Sequence, residues 1–101
     1  MEVFFSELAE YKLRKLTEYL LEEWNLKVKK DFLAKLNAKI EQISEYPESC
    51  QKSMEFGGMY KCVVTKQTTF FYRVNFPNKE IEIITIFDTR ADPKKLKQQS
   101  K

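Results

Sequence analysis

The hydrophobic pattern of this chain changes period once, at Pro47, and that change restricts the fold more than any other feature. Upstream, apolar residues recur at spacings of three and four: Ala9, Leu13, Leu16, Leu20 and Trp24, then Val28, Phe32, Leu36, Ile40 and Ile43. That is the spacing of one face of an α-helix. Downstream the chain reads MYKCVVT, TTFFYRVNF and EIEIITIF (residues 59–65, 68–76 and 80–87), rich in aromatic and β-branched residues and free of internal Pro or Gly. Segments of this kind are strands.

The punctuation between these segments orders them. Val3–Phe5 is a short apolar run ended by Ser6, which suits a strand leading into a helix N-cap, with Glu7 and Glu10 in the first turn where the helix dipole favours acids. The first helix is predicted from Glu7 to Trp24, with Leu8, Tyr11, Tyr19 and Leu21 widening its apolar stripe. Asn25 ends it or caps the second helix, which Pro47 stops. So short a link predicts an antiparallel helical hairpin. Residues 47–53 (PESCQKS) read as a loop and Gly57-Gly58 as a turn or bulge. The breaks at Lys66-Gln67 and Pro77-Asn78-Lys79 permit only antiparallel neighbours, hence a meander. The expected fold is α+β: an N-terminal strand, then an antiparallel two-helix hairpin packed on a mainly antiparallel four-stranded sheet.

Strand alternation assigns faces. Phe70, Tyr72 and Val74 share one side of the middle strand, with Phe71, Arg73 and Asn75 on the other. In the last strand Ile81, Ile83 and Phe87 are expected to oppose Glu82, Ile84, Ile86 and Asp88. A sheet covered by helices on one side then leaves Phe71, Ile84 and Ile86 near Arg73 on the other, an apolar patch rimmed by charge. Tyr60 and Tyr72 are expected to be half-buried with their hydroxyls at the rim.

A chain of 101 residues, 43% apolar, has material for one modest core. The reading is a single domain over residues 1–93 and a basic tail over 94–101, fraying after Pro93. That tail holds Lys94, Lys95, Lys97 and Lys101 with no acid, so within a net charge of +3 residues 1–93 come to −1. A uniformly basic body that grips a nucleic-acid backbone is therefore absent. Histidine is missing altogether, which excludes a Ser-His-Asp triad, a Cys-His pair and any His-containing zinc site. Cys50 and Cys62, separated by eleven residues, are expected to be ordinary reduced thiols. No apolar run approaches the roughly 20 residues of a membrane span, and no leader pattern opens the chain, so a cytoplasmic protein without cofactor, metal or membrane contact is expected.

The order of elements, with an arginine just after the last strand, resembles the RelE/ParE toxins of bacterial type II toxin-antitoxin systems. The local strings agree: SELAEYKLRKLTEYL (6–20), FLAKLNAKIEQISEYPE (32–48), FFYRVNF (70–76) and EIEIITIFDTRADP (80–93). The resemblance implies a growth-inhibiting protein neutralised by a cognate antitoxin whose C-terminal segment wraps it, in a toxin-antitoxin hetero-oligomer. Its two branches differ in target. RelE-like members cleave mRNA in the ribosome, and ParE-like members inhibit DNA gyrase.

Cleavage of RNA through the 2′-hydroxyl needs a group to remove a proton, one to protonate the leaving oxygen, and positive charge on the developing phosphorane. Arg90 matches the family's arginine after the last strand, and is the catalytic candidate if the chain is RelE-like, with Lys61, Lys66 or Lys94 as helpers. Thr69 stands where RelE-like sequences place a further arginine, and the last tyrosine is Tyr72, so none follows Arg90. The YRV and TRADP strings, holding Arg73 and Arg90, resemble the ParE side, and gyrase inhibition is the expected activity. The alternatives are the RelE-like endoribonuclease and an inactive interaction module of the same fold. Residues proposed to bind antitoxin or target are Phe71, Arg73, Arg90, Lys94, Lys95 and Lys97. The charged ones each have a plainer reading: Arg73 paired with Glu82 or Asp88 across the sheet, Arg90 in an exposed salt bridge with Asp88 or Asp92, and the lysines as a solvated tail.

Overall fold

The computed structural model describes residues 1–91. Its elements in chain order are β1 (Glu2–Phe5), α1 (Glu7–Glu23), α2 (Leu26–Glu45), β2 (Gln51–Lys52), β3 (Tyr60–Val63), β4 (Thr68–Asn75) and β5 (Glu80–Asp88). The strands form one sheet in the order β1-β5-β4-β3-β2. All neighbours are antiparallel except β1, which lies parallel to β5 with Val3 opposite Ile81 and Phe5 opposite Ile83. The helical hairpin is the crossover that parallel pairing requires. Among the described residues no helix is long and apolar enough to cross a membrane.

Both helices begin at the predicted caps. Ser6, in extended backbone, accepts from Ala9 N at 3.0 Å, and its hydroxyl donates to Ile84 O at 2.6 Å. The cap thereby fastens α1 to the sheet while it satisfies the helix terminus. Asn25 accepts from Val28 N at 2.9 Å and opens α2 directly after the C-cap of α1 at Trp24.

The helices bury Ala9, Leu16 and Leu20 from α1 and Phe32, Leu36 and Ile43 from α2 against Cys62, Phe70, Tyr72, Ile81, Ile83 and Ile86 of the sheet. Several residues assigned to the α1 stripe lie outside that core: Leu8, Tyr11, Leu21 and Trp24 are exposed. The core needs a narrow seam from α1, and these four flank it. Tyr72 is wholly buried rather than half-buried, and its hydroxyl donates to Pro47 O at 2.7 Å. This bond ties the chain leaving α2 to the centre of the sheet.

Two sheet features depart from expectation. The segment read as a loop contains β2, a fifth strand of two residues, too short to show any alternation. Then a register shift in the β4–β5 pairing sets Phe71 opposite Thr85 but Tyr72 opposite Ile83, leaving Ile84 as an extra residue. A bulge of this kind reverses the alternation of everything beyond it. Ile86 accordingly enters the core, 3% exposed, and Phe87 joins Phe71 on the outer face, the opposite of the assignment from strict alternation.

Candidate functional site

With the helices on one face, the other face of the sheet carries two clefts among the described residues. The first, about 350 Å³, is lined by Phe71, Phe87, Thr69, Lys61, Lys66 and Thr89 of the sheet side, and by Phe56 and Glu55 of the β2–β3 loop. Its aromatic floor is built edge to face: Phe56 meets Phe71 at 4.9 Å between ring centroids, and Phe71 meets Phe87 at 6.0 Å. Because β1 ends opposite Ile83, no strand among the described residues flanks the remainder of β5 on that side. Lys12 of α1 extends its ammonium over the Phe87 ring, 3.8 Å from the centroid. Lys61 pairs with Glu55 at 3.3 Å across the cleft mouth. Glu55 titrates below the usual carboxylate range, held there by a hydrogen bond from its own backbone N–H and by those from Ser53 and Lys61.

The second cleft, about 430 Å³, lies at the β4–β5 turn and is lined by Phe4, Arg73, Phe76, Glu80 and Glu82 among others. Arg73 pairs with its cross-strand neighbour Glu82 at 3.1 Å, one of the two partners anticipated.

Arg90 occupies neither floor. Its Nη2 and Nε bind Asp88 at 2.9 and 3.2 Å, and its backbone N–H donates to the same carboxylate at 2.8 Å. Ala91 N and the Thr68 hydroxyl also donate to Asp88. The pair expected to be exposed is not: the Asp88 side chain is 1% and that of Arg90 19% accessible. Burial pushes the Asp88 carboxyl up, but the hydrogen bonds from Arg90 and Thr68 outweigh it and the net shift is downward. This is a charge-assisted knot at the end of β5 on the side facing the helices, where Asp88 alternates in line with Ile86.

Of the residues singled out from sequence, the structure thus brings Phe71 into the first cleft and Arg73 into the second, and turns Arg90 onto Asp88. Ile86 does not join Phe71, for the bulge turns it into the core, and Ile84, the extra residue at the bulge, does not line the first cleft. Lys94, Lys95 and Lys97, with Asp92, lie outside the described residues. The members missed were Phe56, Phe87 and Lys12. Phe87 was hidden by the bulge, and Lys12 is one charge among many on an exposed helix. Phe56 stands beside the glycine pair of a turn, a position that carries no periodic signal. Among the described residues no three His, Cys, Asp or Glu side chains converge as a metal ion would require.

Chemically the first cleft offers flat aromatic area rimmed by ammonium groups and threonine hydroxyls, which suits binding. Its one lining carboxylate, Glu55, is paired and held in its ionised form, a weak base by the matching of pKa to working pH that proton transfer favours. No tyrosine lines it among the described residues.

The chain matches the model for the ParE toxin of the type II toxin-antitoxin system parDE over residues 3–93. Among solved structures it resembles the chromosomal ParDE toxin-antitoxin system of P. aeruginosa, with TM-score 0.70 and 14% identity over 87% of this chain and 95% of that one. The YoeB/ParE toxin of Agrobacterium tumefaciens gives TM-score 0.61 and 15% identity over 87% and 98%. The intact RelBE toxin-antitoxin complex of E. coli gives 0.59 and 18% over 86% and 94%. Comparison with curated proteins finds no match.

Proposed function

This chain belongs to the ParE toxin family of type II toxin-antitoxin systems, and from that premise we propose that it arrests growth by inhibiting DNA gyrase and is held inactive by a cognate antitoxin. The observation that carries the choice of target is the Asp88–Arg90 knot. A nuclease of the RelE kind needs the arginine after the last strand free to meet phosphate, and here that guanidinium is spent on a buried carboxylate. Freeing it would leave Asp88 charged, buried and short of two donors, at a cost of about 1.5–3 kcal/mol. The absence of a tyrosine in the first cleft supports the same reading.

The antitoxin is expected on the outer sheet face. An extended or helical acidic segment lying along the first cleft buries Phe56, Phe71 and Phe87 and meets Lys61, Lys66 and Lys12. Arg73 in the second cleft extends that surface, and Lys94, Lys95 and Lys97 are further proposed contacts for antitoxin or target.

One observation favours the alternative of mRNA cleavage: two lysines and two threonines line the first cleft together. Expression without antitoxin separates the two. Intact mRNA by primer extension with relaxed plasmid DNA supports gyrase inhibition. Cuts at fixed codon positions with normally supercoiled plasmid reverse it, and growth unaffected in both respects identifies an inactive interaction module.

A further inference from the structure

Cys50 and Cys62 are both free thiols. The β2–β3 pairing sets Gln51 opposite Lys61 and Lys52 opposite Tyr60, so the next position outward brings Cys50 opposite Cys62. Ser53 N donates to Met59 O at 2.8 Å. That marks 53/59 as a hydrogen-bonded pair, and alternation then makes 50/62 a non-hydrogen-bonded one, the type whose side chains approach most closely. Cα atoms at such a pair stand about 4.5 Å apart, inside the window of about 4.4–6.8 Å that a disulfide accepts. Both side chains turn toward the helices: Cys62 is 1% exposed within the core, and Cys50 packs against it partly buried. Cys50 lies near enough to Cys62 and to the Tyr72 hydroxyl to push the titration of both upward.

We propose that Cys50 and Cys62 form a site of reversible oxidation, closing to a cross-strand disulfide through exchange with a small disulfide such as oxidised glutathione. Exposure orders the steps. Cys50, the accessible partner, loses its proton and attacks one sulfur of glutathione disulfide, whose S–S bond breaks and releases one glutathione. Cys62 then loses its proton and attacks the Cys50 sulfur of the mixed disulfide, expelling the second glutathione. Two protein thiols are oxidised by two electrons and one small disulfide is reduced to two thiols. Burial and the neighbouring Cys50 push the Cys62 thiol up to about 12, with Lys39 of α2 opposing them, which fits its role as the second sulfur to react.

The bond would close a loop over residues 50–62 that carries Phe56, the ring resting on Phe71 at the cleft. Cross-linking its base restricts the opening of that loop. Oxidation is thus expected to hold the loop against the sheet face, and reduction to release it.

The test treats the purified full chain with glutathione disulfide and follows intact mass, peptide mapping and hydrogen exchange. The expected product is lighter by two hydrogens, monomeric, and yields a peptide pair joined through Cys50 and Cys62. Amides of residues 53–59 exchange at least severalfold more slowly, and dithiothreitol reverses both effects. Cys62→Ser retains glutathione on Cys50, while Cys50→Ser gives no loss of hydrogens even where the other variant fails to fold. A persistent glutathione adduct on the unsubstituted chain, disulfide-linked dimers, or no reaction overturns the proposal.

Discussion

Arg90 binds Asp88 through both its guanidinium and its backbone N–H, so the arginine that follows the last strand is turned onto its own chain. The relationship explains why an arginine stands at this position without a substrate. Asp88 is carried into a buried site by the alternation of β5, and a buried carboxylate without donors is costly. Removing the guanidinium leaves Thr68 and two backbone N–H groups to hold the charge. Arg90→Ala is therefore expected to destabilise the fold by about 1.5–3 kcal/mol, measured by urea denaturation. A loss below a few tenths of a kcal/mol would mean that the pair is incidental.

The same carboxylate predicts an acid dependence. The Asp88 pKa is lower in the folded chain than in the unfolded one, so its contribution is fully present above the unfolded value and is lost as pH falls through the folded one. Unfolding free energy should drop between about pH 5 and pH 2, and Asp88→Asn should flatten that part of the curve while lowering stability near neutrality. Parallel curves for the two proteins would assign the acid limb to other groups.

Thr85 presents the converse case. Its hydroxyl oxygen is buried and has no hydrogen-bond partner among the described residues, next to the bulge at Ile84. Thr85→Val keeps the branched shape and removes the desolvated oxygen, and should raise stability by about 1 kcal/mol. A destabilised variant would reveal a partner for that oxygen.

Ser6 joins two elements with one hydroxyl, capping α1 and donating to Ile84 O. Ser6→Ala should cost about 1–2 kcal/mol, at or above a simple cap. Ser6→Gly, which usually preserves most of a cap, should here cost nearly as much, because the bond to β5 is lost too. Thermal unfolding of the two variants distinguishes a cap from a tether.

On the binding surface, Lys66→Glu should weaken antitoxin association about tenfold, roughly 1.4 kcal/mol, mostly through a slower on-rate that salt suppresses. Stability should change little, since Lys66 makes no ion pair among the described residues. Calorimetry and stopped-flow binding at two ionic strengths read this directly. Unchanged affinity at low salt would move the antitoxin off the first cleft.

The helices and three long strands were legible because burial repeats along each of them, and Pro47 marks the boundary in one letter. The caps at Ser6 and Asn25 were legible for the same local reason. What escaped was whatever depends on a neighbour. The two residues of β2 acquire strand character only by pairing with β3. The bulge at Ile84 exists only in the register between β4 and β5, and it alone decides that Phe87, not Ile86, faces outward with Phe71. The candidate site was read in part: Phe71 and Arg73 lie on the outer face, but the role of Arg90 hinges on the burial of Asp88, which strict alternation had assigned to the outer face.

Gyrase inhibition is tested most directly by adding the purified chain to a supercoiling reaction containing gyrase, relaxed plasmid and ATP, with and without its antitoxin. Supercoiling should fall with toxin concentration, recover when antitoxin is added, and fall less in the Lys94, Lys95 and Lys97 triple alanine variant in proportion to the contacts those lysines make. Full supercoiling at toxin in large excess over gyrase, alongside codon-positioned mRNA cuts that disappear in Arg90→Ala, would contradict the account and return Arg90 to catalysis.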